Sequence, residues 1–135
     1  MYDKNRPKTF HGMPNPERRT VTMLKNEILS REYSKDVDLK RQDLVIQSYF
    51  KYGPAKHNFG EHLVKALPTM SQCVCKYDET HNKEYLLDAM NYLMFEYMYP
   101  SYKDAYYKST DSNESAGIVG MSYNEIKEAN KYNEY

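Results

Sequence analysis

Glu84-Tyr-Leu-Leu-Asp-Ala-Met-Asn-Tyr-Leu-Met-Phe-Glu-Tyr-Met98 is the stretch that decides the fold. It is rich in strong helix formers, it holds no glycine or proline, and Pro100 follows it. The spacing predicts a helix over residues 83–99, with Asn82 as its N-cap and Pro100 as its stop. Apolar side chains occupy nearly every side of it, the pattern of a buried helix. At about 100° per residue, Glu84, Asp88 and Asn91 fall on one face, while Leu86, Met90, Leu93 and Tyr97 fall opposite. Two carboxylates and an amide therefore project from an otherwise apolar rod. Buried carboxylates are costly unless paired or metal-bound. The competing explanation is that Glu84 and Asp88 sit in an exposed first turn, where acidic residues favour the positive end of the helix dipole. Asn91, deeper in the helix, is harder to explain that way.

Working outward, the run Lys51-Tyr-Gly-Pro-Ala-Lys-His-Asn-Phe-Gly60 reads as a loop with two glycines. Lys51, Lys56, His57 and Asn58 on it are candidate contacts for anionic oxygens. A solvated connection between helices is the plainer alternative. Before the loop, a helix is expected from Asp36 or Asp38 to Gly53-Pro54, with Leu44, Val45, Tyr49 and Phe50 as its apolar side. An earlier helix is expected from near Thr20, with a modest stripe of Leu24, Ile28 and Leu29. After the loop, a helix is expected over 60–77, kinked or split at Pro68. Asp78 to Asn82 reads as a polar turn. A long polar loop follows Pro100, to about residue 121, and Ser122-x-x-Glu125 is a capping box for a short last helix.

The whole is an all-α chain of four or five helices forming a bundle. Its 135 residues suit one domain, taken as 20–135 behind an irregular basic arm at 1–19. That arm carries Lys4, Arg6, Lys8, Arg18 and Arg19 against Asp3 and Glu17. It reads as a solvated tail or as an arm reaching a phosphate or a partner subunit. Lys+Arg and Asp+Glu are equal at 19 each, which argues against a strong non-specific nucleic-acid binder. Cys73 and Cys75 would point about 200° apart on a helix, so they cannot share a metal ion or pair. No apolar run reaches signal-peptide or membrane-spanning length, so a cytoplasmic protein is expected. Tyrosine is the outlier, 15 residues against 4 Phe and no Trp. These rings suit half-buried packing, subunit contacts or stacking on a base. Short helices with large apolar faces point to a homo-oligomer.

The run Glu84-Tyr-Leu-Leu-Asp88-Ala-Met-Asn91 resembles the acidic helix of the MazG-like all-α nucleoside triphosphate pyrophosphohydrolases. The stretch from Lys51-Tyr-Gly through Asn58 to Asn91 is similar to small phage-encoded relatives of dATP/dGTP pyrophosphohydrolases. Thr110-Asp-Ser-Asn-Glu-Ser-Ala-Gly117 is similar to a segment of uncharacterised phage proteins. The resemblance implies a MazG-like bundle with Mg²⁺ held at Glu84 and Asp88. It departs from the family in lacking a Glu-x-x-Glu pair anywhere in residues 20–77. Three functions are therefore expected in order. The first is capture of a nucleotide or nucleotide-derived signal by a phage protein countering host defence, through Lys51, Lys56, His57, Asn58 and Asn91. The second is Mg²⁺-dependent pyrophosphohydrolysis, with missing ligands from Glu61, Glu79 or another subunit. The third is inhibition of a host protein by direct contact.

Overall fold

The computed structural model describes residues 15–111 and 113–131, with side chains from residue 21 onward. Six helices and no strand stand among them, so the chain is all-α. They divide into two compact units that meet in sequence between Lys103 and Asp104.

The first helix, α1 (Asn15–Glu32), begins more than a turn before the expected Thr20. Pro16 falls in its first turn, where a missing N–H costs nothing. Residues 1–14 of the expected arm lie outside the described residues. No side chain from Val21 to Glu32 is buried. α2 (Lys35–Tyr52) is capped by Ser34, whose hydroxyl accepts the Val37 N–H at 3.1 Å. Ser34 thus takes the role expected of Asp36 or Asp38, which lie in the first turn instead. Gly53 ends α2 at φ +91°, a conformation that side chains rarely adopt, and its N–H donates to the Tyr49 carbonyl.

The expected loop at 51–60 contains a single helical turn, α3 (Ala55–Asn58). Gly60 follows it at close quarters: a Cβ there would lie 2.2 Å from the Lys56 carbonyl oxygen. The helix expected over 60–77 starts later, at Ala66, and α4 (Ala66–Thr80) is not split at Pro68. Pro68 lies in the first turn, where its ring has no preceding helical carbonyl to strike. The expected polar turn begins later too, because residues 78–80 are helical and His81 closes α4 in the left-handed region, at φ 64°. α5 (Glu84–Met98) follows, and the Asn82 side chain accepts the Glu84 N–H at 3.0 Å.

α5 packs mainly on α4 and less extensively on α2. The core is small. Phe59, Ala66 and Phe95 form its centre, ringed by the half-buried Val45, Val64, Tyr92 and Met94. Phe59 and Phe95 stack with ring centroids 4.7 Å apart. Burial of each ring contributes about 2–3 kcal/mol. The expectation that α5 is buried all round fails on one side: Leu93, Tyr97 and Met98 are exposed. Asp88 and Asn91 turn toward the interior, Glu84 does not, and part of the apolar side faces out.

The second unit holds an extended polar stretch and α6 (Tyr123–Asn130). Ser122 and Glu125 form the expected capping box, each side chain accepting the other's backbone N–H, at 3.1 and 2.9 Å. These bonds hold the Glu125 carboxyl below its ordinary value. No helix among the described residues is long and apolar enough to cross a membrane.

Candidate functional site

α2, the α3 turn and α5 enclose a cavity of about 200 Å³. Its walls come from Val45, Ser48, Tyr49 and Tyr52 on α2, from Gly53 to Val64 between the helices, and from Asp88, Asn91, Tyr92 and Phe95 on α5. The α5 contribution follows from spacing: Asp88, Asn91, Tyr92 and Phe95 are i, i+3, i+4 and i+7, one helical face. The walls are mostly aromatic and aliphatic. Asp88 is the only charged side chain among the lining residues.

The three residues singled out on this helix have separate fates. Glu84 is exposed and does not line the cavity. It occupies the first turn of α5, as the dipole explanation anticipated. Asp88 is half-buried and lines the cavity. Burial first, and then the Glu84 carboxylate one turn earlier, raise its carboxyl above the ordinary aspartate value. Asn91 is the one buried polar side chain among the described residues, 6% exposed. Its amide is held by Arg41 on α2. The Arg41 Nε donates to Asn91 Oδ1 at 3.1 Å, and Asn91 Nδ2 donates to the Arg41 carbonyl at 3.2 Å. Arg41 also lies 3.6 Å from Asp38. Asn91 thus clasps α2 to α5, a partnership 50 residues apart that helix periodicity could not disclose.

The 51–60 segment supplies the cavity with different residues from those expected. Asn58 lines it, with Nδ2 donating to the Tyr52 carbonyl at 3.0 Å. Lys56 and His57 are exposed and do not line it, and His57 lies 3.6 Å from Glu61. Lys51 is also outside the walls. Its ammonium nevertheless sits over the Tyr52 ring, 5.1 Å from the centroid, and Tyr52 is a wall residue.

Two neighbours share the electrostatics of Asp88. Cys73 on α4 is half-buried, and burial with the Asp88 charge pushes its thiol up. Tyr92 is pushed up by burial, then by Cys73, Asp88 and Tyr52. Asp88 and Tyr92 stand one helical turn apart on α5. Cys75 is exposed, and both thiols are free.

No group of three or more His, Cys, Asp or Glu side chains suited to a metal ion occurs among the described residues. Comparison with protein-family models, curated proteins and solved structures finds no match to this chain.

Proposed function

We propose that the chain captures a nucleotide by taking its base into the aromatic cavity, leaving the phosphate outside near Lys51. The cavity carries this proposal. Its volume of about 200 Å³ falls below the roughly 300–1,000 Å³ of sites that enclose a drug-sized ligand. A single planar ring system suits that space, and a whole nucleoside triphosphate does not. Tyr52, Tyr92, Phe59 and Phe95 offer faces or edges to such a ring, and stacking a base on an aromatic side chain is worth about 1–3 kcal/mol. A phosphate inside would meet the Asp88 charge, which opposes it. Outside, it would meet Lys51 at the rim, and Lys56 and His57 on the neighbouring turn are exposed to solvent.

Capture in this form needs no metal ion. Hydrolysis would need Mg²⁺ at Glu84 and Asp88, and the residues present do not fit that demand. The donor set stops at two carboxylates, of which Glu84 is exposed. Mg²⁺ takes near-octahedral oxygen coordination, and the cavity beside Asp88 is walled by rings. Sequestration, with the ligand held and returned intact, is therefore the activity proposed. In a phage-encoded protein, such a module would withdraw a nucleotide-derived defence signal. Calorimetry against nucleoside monophosphates, with the ligand recovered after denaturation, tests this. Intact recovery of a bound nucleotide supports capture, recovery of a cleaved product points to hydrolysis, and the absence of any binding overturns the proposal.

The outward faces favour a second function alongside it, self-association. On α2, Leu39, Ile46 and Phe50 are 60%, 54% and 82% exposed. Leu24, Ile28 and Leu29 on α1 are exposed as well. Six large apolar side chains left in water on two successive helices are the kind of surface that protein contacts cover. A second copy of the chain is the proposed occupant. Sedimentation equilibrium of the intact chain and of Ile46→Glu tests it. A dimer that Ile46→Glu converts to monomer supports self-association, and a monomeric intact chain at tens of micromolar overturns it.

A further inference from the structure

We infer that the cavity selects a guanine-type base, one whose edge carries two adjacent N–H donors, and that the Asp88 carboxylate accepts both. This rests on the nucleotide proposal above and specifies the base for the same site. Asp88 lines the cavity and makes no hydrogen bond or ion pair among the described residues. The two amide side chains of the lining are already engaged, while Ser48 and the tyrosines contribute neutral hydroxyls. Both ends of the Asn91 amide are bound to Arg41, and the Asn58 NH₂ is bound to the Tyr52 carbonyl. A half-buried carboxylate without donors is under-satisfied, because an ionised carboxylate can only accept. A ring that displaces water from this carboxylate has to replace the donors that water supplied, and two side by side match the two carboxylate oxygens.

The common bases differ at just that point. Guanine presents a ring N–H beside an exocyclic NH₂. Adenine and cytosine present an NH₂ beside a bare ring nitrogen, which would set a lone pair against a carboxylate oxygen. Uracil presents one N–H between two carbonyls. Only the guanine edge gives Asp88 two donors with no opposing acceptor. Sites built to hydrogen-bond a ligand reject analogues that lack the matching group, because the buried polar atom is then left alone.

The test is calorimetry of the intact chain with guanosine, inosine, adenosine, 1-methylguanosine and benzamidine, repeated with Asp88→Asn. Guanosine should bind at least tenfold more tightly than adenosine or 1-methylguanosine, since a lost charged hydrogen bond is worth about that factor or more. Inosine, which keeps the ring N–H alone, should fall between. Asp88→Asn replaces one acceptor by a donor, so it should weaken guanosine and strengthen adenosine. Near-equal binding of all the nucleosides would overturn the edge selection and leave the nucleotide proposal standing. Benzamidine carries the same donor pair without ribose. If it binds and no nucleoside does, the nucleotide proposal falls, and the guanine assignment falls with it. Thermal unfolding of Asp88→Asn confirms that the variant is folded.

Discussion

Breaking the clasp between α2 and α5 should cost the protein a measurable share of its stability. Asn91→Leu removes both bonds to Arg41 from a side chain that is 6% exposed. A net hydrogen bond contributes about 0.5–1.5 kcal/mol, and a buried group left without its partner loses about 1–3. The Arg41 guanidinium is partly exposed and can recover water, so the lower half of that range applies to it. The Arg41 carbonyl is already inside a helical turn, and its loss is smaller still. Asn91→Leu should therefore cost about 2 kcal/mol, a large fraction of the stability of a domain this size. Arg41→Met breaks the Nε–Oδ1 bond and leaves the bond to its own carbonyl. The double variant Arg41→Met/Asn91→Leu replaces a polar pair by an apolar one, and it should recover about 1 kcal/mol relative to the sum of the single variants. Urea unfolding followed by circular dichroism measures all three. Additivity within the ~0.3–0.5 kcal/mol typical of independent sites would refute the clasp.

Three further outcomes follow from the same packing. The Asp88 carboxyl is raised by burial and by Glu84, so folding favours its neutral form. Its stabilising contribution is complete below the ordinary value of 3.8 and is lost as pH rises through the raised one. Asp88→Asn should accordingly raise the thermal midpoint at pH 7 and leave it unchanged at pH 3, as calorimetric scans at the two pH values would show. Phe59→Ala, which removes a ring stacked at 4.7 Å on Phe95, should cost about 3 kcal/mol in urea unfolding, the low end for a core phenylalanine because the site is open on one side. Gly60→Ala forces a Cβ to within 2.2 Å of the Lys56 carbonyl. It should lower the thermal midpoint and, by moving the α3 turn, reduce whatever affinity the cavity has.

Much of the helical framework was legible because local chemistry fixes it. Gly53-Pro54 stops α2, Pro100 stops α5, and Ser122 with Glu125 starts α6, each through groups a few residues apart. The cap at Ser34 is masked in the sequence by two acids close behind it, Asp36 and Asp38, which offer the same chemistry. Pro68 carries a similar ambiguity. A proline breaks a helix interior but suits a first turn, and α4 starts late enough to make it the latter. The site was legible only in part. Periodicity set Asp88 and Asn91 on a common side, and the same count would have added Tyr92 and Phe95. What it could not supply was the opposite wall. Val45, Tyr52 and Phe59 reach the cavity through tertiary packing, and Arg41 reaches Asn91 in the same way. The basic side chains of the 51–60 segment stand out by charge, yet Asn58 and Phe59 are the ones that turn inward.

The most direct measurement is an NMR titration of the chain with guanosine monophosphate. Aromatic resonances of Tyr52, Phe59, Tyr92 and Phe95 should shift by saturable binding together with the backbone amide of Asp88. Shifts confined to the exposed Lys56 and His57, or the absence of any saturable shift at the rings, would contradict the placement of a base inside the cavity.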